Sequence, residues 1–204
     1  MGIYPLTSLA GAADLAAGLE RLRDLGLISV ALVPDPIAGP SAETLSAVFD
    51  RVRPFKQHLT IDPAVGPYAP SRHHAERIRR GHRRCRVERG ALRPWLADWS
   101  RLYAGLVAHR GVTGMADFPE TYFEALAAEP ALVAFAAMVE DRIVGMTLWF
   151  AHAGVVYNHL TAVDAAGYSA GASYALYDRA IAHFEGTGIV NLGGGAGSGA
   201  GDGG

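Results

Sequence analysis

The chain has 204 residues but only one cysteine, and Lys56 is its only lysine. One thiol, Cys85, excludes an internal disulfide and any metal site built from clustered cysteines. It is expected to be a small, semi-buried side chain rather than a reactive group. No stretch approaches the roughly 20 consecutive apolar residues of a membrane helix. No charged-then-apolar leader opens the chain, so a cytoplasmic location is expected. Histidines do not fill the gap left by cysteine. His73, His74 and His82 lack metal-ligand spacing and have no paired carboxylates nearby, so no metal is expected.

With lysine nearly absent, positive charge is carried by arginine, and it is uneven. Residues 72–86 hold seven arginines against Glu76 alone, a local charge of +6 that leaves −8 on the rest of a chain whose total is −2. Two readings stay open for this segment. Arginine forks match phosphate, so Arg72, Arg79 and Arg80 are candidate phosphate-binding residues for a phosphorylated acceptor or a transfer RNA. The other reading is a solvated helix face paired with the surplus acids. No aromatic residue interleaves these arginines, so base stacking here is unsupported.

Half of the residues are hydrophobic, enough for a core that buries about 70% of the unfolded surface. Residues 2–6 are expected as a short strand. Leu15, Leu19, Leu22 and Leu25 form one stripe of a helix that Gly26 stops. Residues 27–33 read as a buried strand, closed by a proline- and glycine-bearing turn. Ser41 is expected to cap a helix with Leu45, Val48, Phe49 and Val52 inward. Residues 56–62 read as another strand. Three prolines and a glycine then fall in residues 63–71, which gives a linker. The expected organisation is a partial α/β unit over residues 1–62, the linker, and a main domain over residues 71–192.

Within the main domain, Ser71 is expected to cap an arginine-rich helix over residues 72–81, followed by a strand over 85–88. Leu92, Trp95, Leu96, Trp99, Leu102, Tyr103 and Leu106 give the clearest helical stripe in the chain. Asp117, Pro119 and Glu120 resemble a capping box opening a helix that Pro130 stops. Strands are expected at 132–139, 142–151 and 155–162, joined by short turns at Glu140-Asp141 and Ala153-Gly154. A glycine-bearing turn, residues 167–173, then opens a helix to Glu185, and a strand follows at 189–192. The order after the linker predicts an antiparallel meander continued by a strand–helix–strand unit, hence a mixed α/β sheet with flanking helices. Residues 193–204 are almost all glycine and alanine and are expected to be disordered, and a sheet that ended at residues 189–192 would favour a truncated domain.

This order, together with Ser71-Arg72-His73-His74, Trp99, Tyr103, Phe118, the run from Tyr157 to Ala162 and Leu192-Gly193-Gly194-Gly195, resembles the GNAT acyltransferase fold, in its FemAB-like branch. The resemblance covers residues 71–195, and residues 1–62 are similar to part of a preceding GNAT-like unit. It implies direct transfer of an acyl group from acetyl-CoA or another acyl-CoA to a small-molecule or cell-envelope amine. FemAB-like relatives imply an aminoacyl-tRNA donor as the alternative. Backbone groups at Thr161, Ala162 and Val163 would receive the pantetheine arm. The segment Tyr168-Ser169-Ala170-Gly171-Ala172-Ser173 would take the pyrophosphate, with Gly171 matching the middle glycine of the family loop. The fold also implies a further helix and two strands after Leu192, so the chain is expected to be a domain cut off at its C-terminal part. A non-catalytic truncated domain is therefore a further alternative.

Acyl transfer to an amine needs a base, a polarised carbonyl and a proton for the leaving thiolate. Strict alternation over residues 155–162 sets Val155, Tyr157, His159 and Thr161 on one face, with Val156, Asn158, Leu160 and Ala162 on the other. The first set is polar for a central strand. That makes His159 the candidate catalytic base, against the simpler reading of a core histidine bonded to a carbonyl. Tyr157 is the second catalytic candidate, as a hydrogen-bond donor or as an aromatic wall.

Overall fold

A computed structural model describes residues 14–55, 57–114 and 117–194. By contact the chain divides into two units, residues 58–193 in one and residues 1–57 with 194–204 in the other. The expected strand at 2–6 and the glycine tail beyond Gly194 lie outside the described residues, as does Lys56.

In the smaller unit, helix α1 spans Leu15–Asp24 and Asp14 caps it, its carboxylate accepting from Ala17 N–H at 3.0 Å. Leu15, Leu19 and Leu22 are its half-buried positions, while Leu25 is exposed. Helix α2, Ala42–Ser46, is capped by Ser41 and buries Leu45. It is shorter than the sequence suggested, so Val52 lies past its end and is exposed. The strand expected at 27–33 does not form, and Ile28 is fully exposed. An apolar run becomes a strand only by pairing, and these residues have no ladder. Asp35 organises the turn that follows, its Oδ1 accepting from the N–H groups of Ile37 and Ala38.

The larger unit is a six-stranded mixed sheet ordered β1-β6-β5-β4-β3-β2. Its strands are β1 Thr60–Ile61, β2 Arg86–Gly90, β3 Leu132–Val139, β4 Arg142–His152, β5 Val155–Val163 and β6 Ile189–Asn191. Strands β2 to β5 form the expected antiparallel meander, and β6 lies parallel to β5. The tight β4–β5 turn puts Ala153 and Gly154 at positive φ, as a two-residue hairpin requires. The sheet does not end at β6. The run expected as a strand over 56–62 shrinks to Thr60–Ile61, which pairs antiparallel with β6, Thr60 with Asn191 and Ile61 with Val190.

Helices cover both faces. On one, α4 (Leu96–Arg110) and α5 (Glu120–Ala128) bury Trp99, Leu102, Tyr103, Phe123 and Leu126 against the even-numbered residues of β3. Trp99, Tyr103 and Phe123 form an aromatic knot with centroids 4.9–5.8 Å apart. The capping box expected at Asp117 is not made. Pro119 itself is the N-cap, with no side-chain cap bond.

On the other face, α7 (Ala172–His183) buries Ala172, Leu176 and Ala180 against Phe135, Val144 and Trp149. The arginine-rich helix α3 runs Arg72–Arg84, a full turn beyond the expected stop, and packs on α7. Gly81 permits this approach, because a Cβ there would lie 2.6 Å from the carbonyl oxygen of Gly171. The cysteine fits its expected place. Cys85, between α3 and β2, is buried among this core and burial pushes its thiol pKa up.

Candidate functional site

The register of β5 decides where its side chains go. Leu148 pairs with Leu160 and Trp149 with Asn158, so His159 is an extra residue, a β-bulge. The expected strict alternation therefore fails halfway along the strand. Tyr157, His159, Leu160 and Ala162 share the face of α4 and α5. Val156, Asn158, Thr161 and Val163 share the face of α7. Thr161 thus lies opposite His159 rather than beside it, because one inserted residue reverses the period-two pattern beyond it.

On the α5 side, His159 Nε2 lies 2.7 Å from the Tyr122 hydroxyl. Phe150 meets the imidazole edge-on at 5.6 Å, and Phe118 stands 6.4 Å away, stacked on Tyr122. Burial in this aromatic setting pushes the His159 pKa down to about 4. Burial, with Tyr103 adding, pushes Tyr122 up to about 12. The pair is therefore uncharged at neutral pH. The sequence reading of His159 as bonded to a backbone carbonyl is replaced by a phenol partner, and its pKa no longer sits near 7. Tyr157, half-buried, pairs with Phe150 across β4 and with Asn191 across β6.

On the α7 side, Asn158, Thr161 and Thr147 meet Tyr177 of α7 in a closed network. Asn158 Nδ2 donates to Thr147 Oγ1 at 2.7 Å, Tyr177 O–H donates to Asn158 Oδ1 at 2.9 Å, and the two threonine hydroxyls are 2.8 Å apart. Tyr177 Oη also lies 3.2 Å from Thr161 Oγ1. Burial raises the Tyr177 pKa, offset in part by its bond to Thr161. Nothing in this network ionises near neutral pH.

Strands β5 and β6 part company near this network. Pairing of β5 with β6 ends at Tyr157 with Asn191, whereas β5 continues to Val163. The edge of residues 158–163 that faces away from β4 therefore has no strand partner among the described residues, and Thr161, Ala162 and Val163 lie along it. After Asn191 the chain turns toward β1, Leu192 N–H donating to Leu59 C=O at 2.9 Å. Beside this parting a cavity of about 220 Å³ is lined by Tyr68, His74, Ile78, Ser173, Tyr174, Tyr177, Asp178, Ile181 and Leu192. No arginine lines it.

The segment 167–173 is not the open turn that the sequence suggested. Asp164 caps a short helix, α6 (Ala165–Ala170), its Oδ1 accepting from Gly167 N–H at 2.9 Å, and Arg142 holds the other oxygen at 2.6 Å. Tyr168 and Ser169 are inside α6, with the Ser169 carbonyl accepting from Arg84. Gly171, at φ +81°, breaks α6 from α7, and Gly171 N–H is already bonded to Tyr168 C=O. Ala172 is fully buried, so of this segment Ser173 alone lines the cavity. Gly167 is required because a Cβ there would collide with the Val144 carbonyl.

Arg72, Arg79 and Arg80 are exposed. Arg79 is paired with Glu76 at 2.7 Å. His74 and Ile78 of the same helix line the cavity, and helical spacing sets these three arginines on other sides of α3. The site residues that sequence reasoning missed are Tyr122, Thr147, Asn158, Tyr177 and Asn191. Local pattern does not reveal partners such as Tyr122 for His159, 37 positions apart, or His58 for Asn191, 133 positions apart. Among the described residues no group of three His, Cys, Asp or Glu side chains is arranged to hold a metal ion, and no helix is long and apolar enough to cross a membrane.

A family match described as "Acetyltransferase (GNAT) domain" covers residues 71–198. No curated protein matches the sequence. Among solved structures, the chain is similar to the C-terminal domain (DUF2156) of an Agrobacterium fabrum protein named as a lysylphosphatidylglycerol synthetase. The TM-score is 0.54 at 14% identity, over 68% of this chain and 46% of that one. It is similar to FemX, with TM-score 0.53 and 11% identity, over 61% of this chain and 48% of that one. A conserved Bacteroides thetaiotaomicron protein of unknown function gives TM-score 0.50 at 16% identity, over 74% and 56%. At these identities the likeness is one of fold. The chain spans about half the length of each of the three.

Proposed function

The chain belongs to the acetyltransferase (GNAT) domain family, and from that premise we propose that it is an N-acyltransferase that takes its acyl group from an acyl-CoA thioester. The observation that carries this reading is the parting of β5 from β6 after Tyr157 and Asn191, beside a cavity that touches both Tyr177 and Leu192. An extended, uncharged pantetheine arm suits that place. Its amides would meet the unpaired edge groups of Thr161, Ala162 and Val163, much as an added strand would. The cavity walls are tyrosines, isoleucines and Leu192, with His74, Ser173 and Asp178 among them. The donor's phosphates are assigned to the Ser173 rim of the cavity, in the first turn of α7.

In the reaction the acceptor's nitrogen attacks the thioester carbonyl carbon. A C–N bond forms, the C–S bond breaks, and the proton shed by nitrogen ends on the departing sulfur. His159 and Tyr157 face the opposite side of the sheet from the cavity, which suits acceptor binding. With a pKa near 4, His159 is a weak proton sink but an unprotonated hydrogen-bond acceptor throughout the neutral range. It is assigned to orient the neutral amine, with Tyr122 fixing its ring.

The exposed arginines of α3 favour a second reading, an aminoacyl-tRNA donor. Thermal-shift titration separates the two. Stabilisation by acetyl-CoA, with thiol release on adding amines, supports the acyl-CoA reading. No stabilisation at millimolar acetyl-CoA, with salt-sensitive binding of charged tRNA instead, would replace it.

A further inference from the structure

Asn191 is the last paired residue of β6 and stands where β5 and β6 separate. It is 2% exposed, yet its Nδ2 has no hydrogen-bond partner among the described residues. Its Oδ1, by contrast, accepts twice. Gly193 N–H donates to it at 2.9 Å, and His58 Nδ1 lies 3.1 Å away. Exchanging the amide's oxygen and nitrogen does not relieve the orphan. A backbone N–H only donates, so Gly193 requires the oxygen where it is. The carboxamide is locked with its –NH₂ unpaired.

A buried donor with no acceptor is expensive to leave unmade, because its lost hydration is not repaid. Such a group is tolerated where something else supplies the acceptor. The two donors on Oδ1 also polarise the amide and strengthen Nδ2 as a donor. The missing partner must be an oxygen with a free lone pair. In register with Tyr157, Asn191 lies at the closed end of the gap along which residues 158–163 are unpaired. An arm lying on that edge ends there.

We propose that Asn191 Nδ2 donates to the carbonyl oxygen of the acyl donor's thioester, and so stabilises the negative charge that develops there during transfer. His58 and Gly193 are its positioning partners. This rests on the acyl-CoA reading above, and it names a side chain as the carbonyl's donor.

The contact is to the acyl carbonyl, which free CoA lacks. Calorimetric titration of the whole chain with acetyl-CoA and with CoA therefore reads it directly. The wild type is expected to bind acetyl-CoA about tenfold more tightly than CoA. Asn191→Asp keeps the oxygen for Gly193 and removes the –NH₂. It is expected to bring the two affinities within about twofold, and to lower kcat by about 10²-fold. As a measurement that needs no variant, the Asn191 side-chain amide protons should shift with acetyl-CoA and not with CoA in ¹⁵N-resolved spectra. Equal affinities in the wild type, a preference retained in Asn191→Asp, or identical amide shifts with both ligands overturns the assignment and leaves the donor reading standing. Binding of neither ligand removes both.

Discussion

Two polar clusters hang from one strand, and they are built differently. On the α5 side of β5, His159 meets the Tyr122 hydroxyl within an aromatic surround. Its state is set by burial. On the α7 side, Asn158, Thr161, Thr147 and Tyr177 satisfy one another, and their state is set by mutual hydrogen bonding. The first cluster holds a group whose charge changes with pH, and the second does not. Only the bulge at His159 keeps them apart, since it puts Thr161 on the face opposite its expected companion. A strand in a sheet covered on both faces can thus carry titratable and non-titrating polar groups within four residues.

Moving the bulge should have the largest effect. Inserting an alanine between Leu160 and Thr161 would swing Thr161 and Val163 to the α5 side and Ala162 to the α7 side. We expect loss of the cooperative unfolding transition in circular dichroism. Deleting His159 instead removes only the extra residue and leaves the other β5 side chains on their own faces, so that variant should still unfold cooperatively. If both variants behave alike, the bulge does not separate the clusters.

The next effect is in pH. The folded-state pKa of His159, about 4, lies below its ordinary 6.5. The unfolded chain therefore binds the proton more readily. The stability from keeping the imidazole neutral is fully present above pH 6.5 and is lost as pH falls through 4, up to about 3 kcal/mol in all. Urea denaturation of wild type and His159→Gln between pH 4 and 7 should show the two curves converging as the pH drops. A constant gap would mean that His159 titrates normally in the fold.

Asn158→Leu should destabilise by about 1–2 kcal/mol, because Thr147 and Tyr177 each lose a partner in a buried site. Tyr177→Phe should cost about 1 kcal/mol. Neither loss should vary between pH 4 and 7, because no member of that network titrates there. A pH-dependent loss in either variant would erase the distinction between the two sides.

Much of the fold was legible in the sequence. The apolar stripe from Leu92 to Leu106 became the turn Arg93–Trp95 and α4. The β3 strand fell on its expected limits, and β4 and β5 exceeded theirs by one residue. These elements announce themselves because their burial pattern repeats locally, at 3.6 residues on one covered face or as unbroken apolar runs between two. The site was less legible. His159 stood out as polar on a central strand, but its phenol partner is on α5, 37 residues upstream. The glycines at 167 and 171 read as an anion turn; in the fold Gly167 lets α6 press on Val144, and Gly171 takes the positive φ that breaks α6 from α7.

By itself, then, the sequence determined the meander, the helices that sandwich it and the polar character of β5. These follow from periodicity and composition within windows of about 10 residues. The tertiary structure decided the rest. A two-residue segment, Thr60–Ile61, became a strand only because β6, 130 positions later, offered it a ladder. The bulge at His159 arose from how β5 pairs with β4, and its placement chose which side chains share a face. Asn191 became a buried, unpaired donor only because Gly193 and His58 both claim its oxygen. Gly193 is a neighbour of Asn191 in sequence, but His58 and the strands that bury the amide are distant, and no local window contains them.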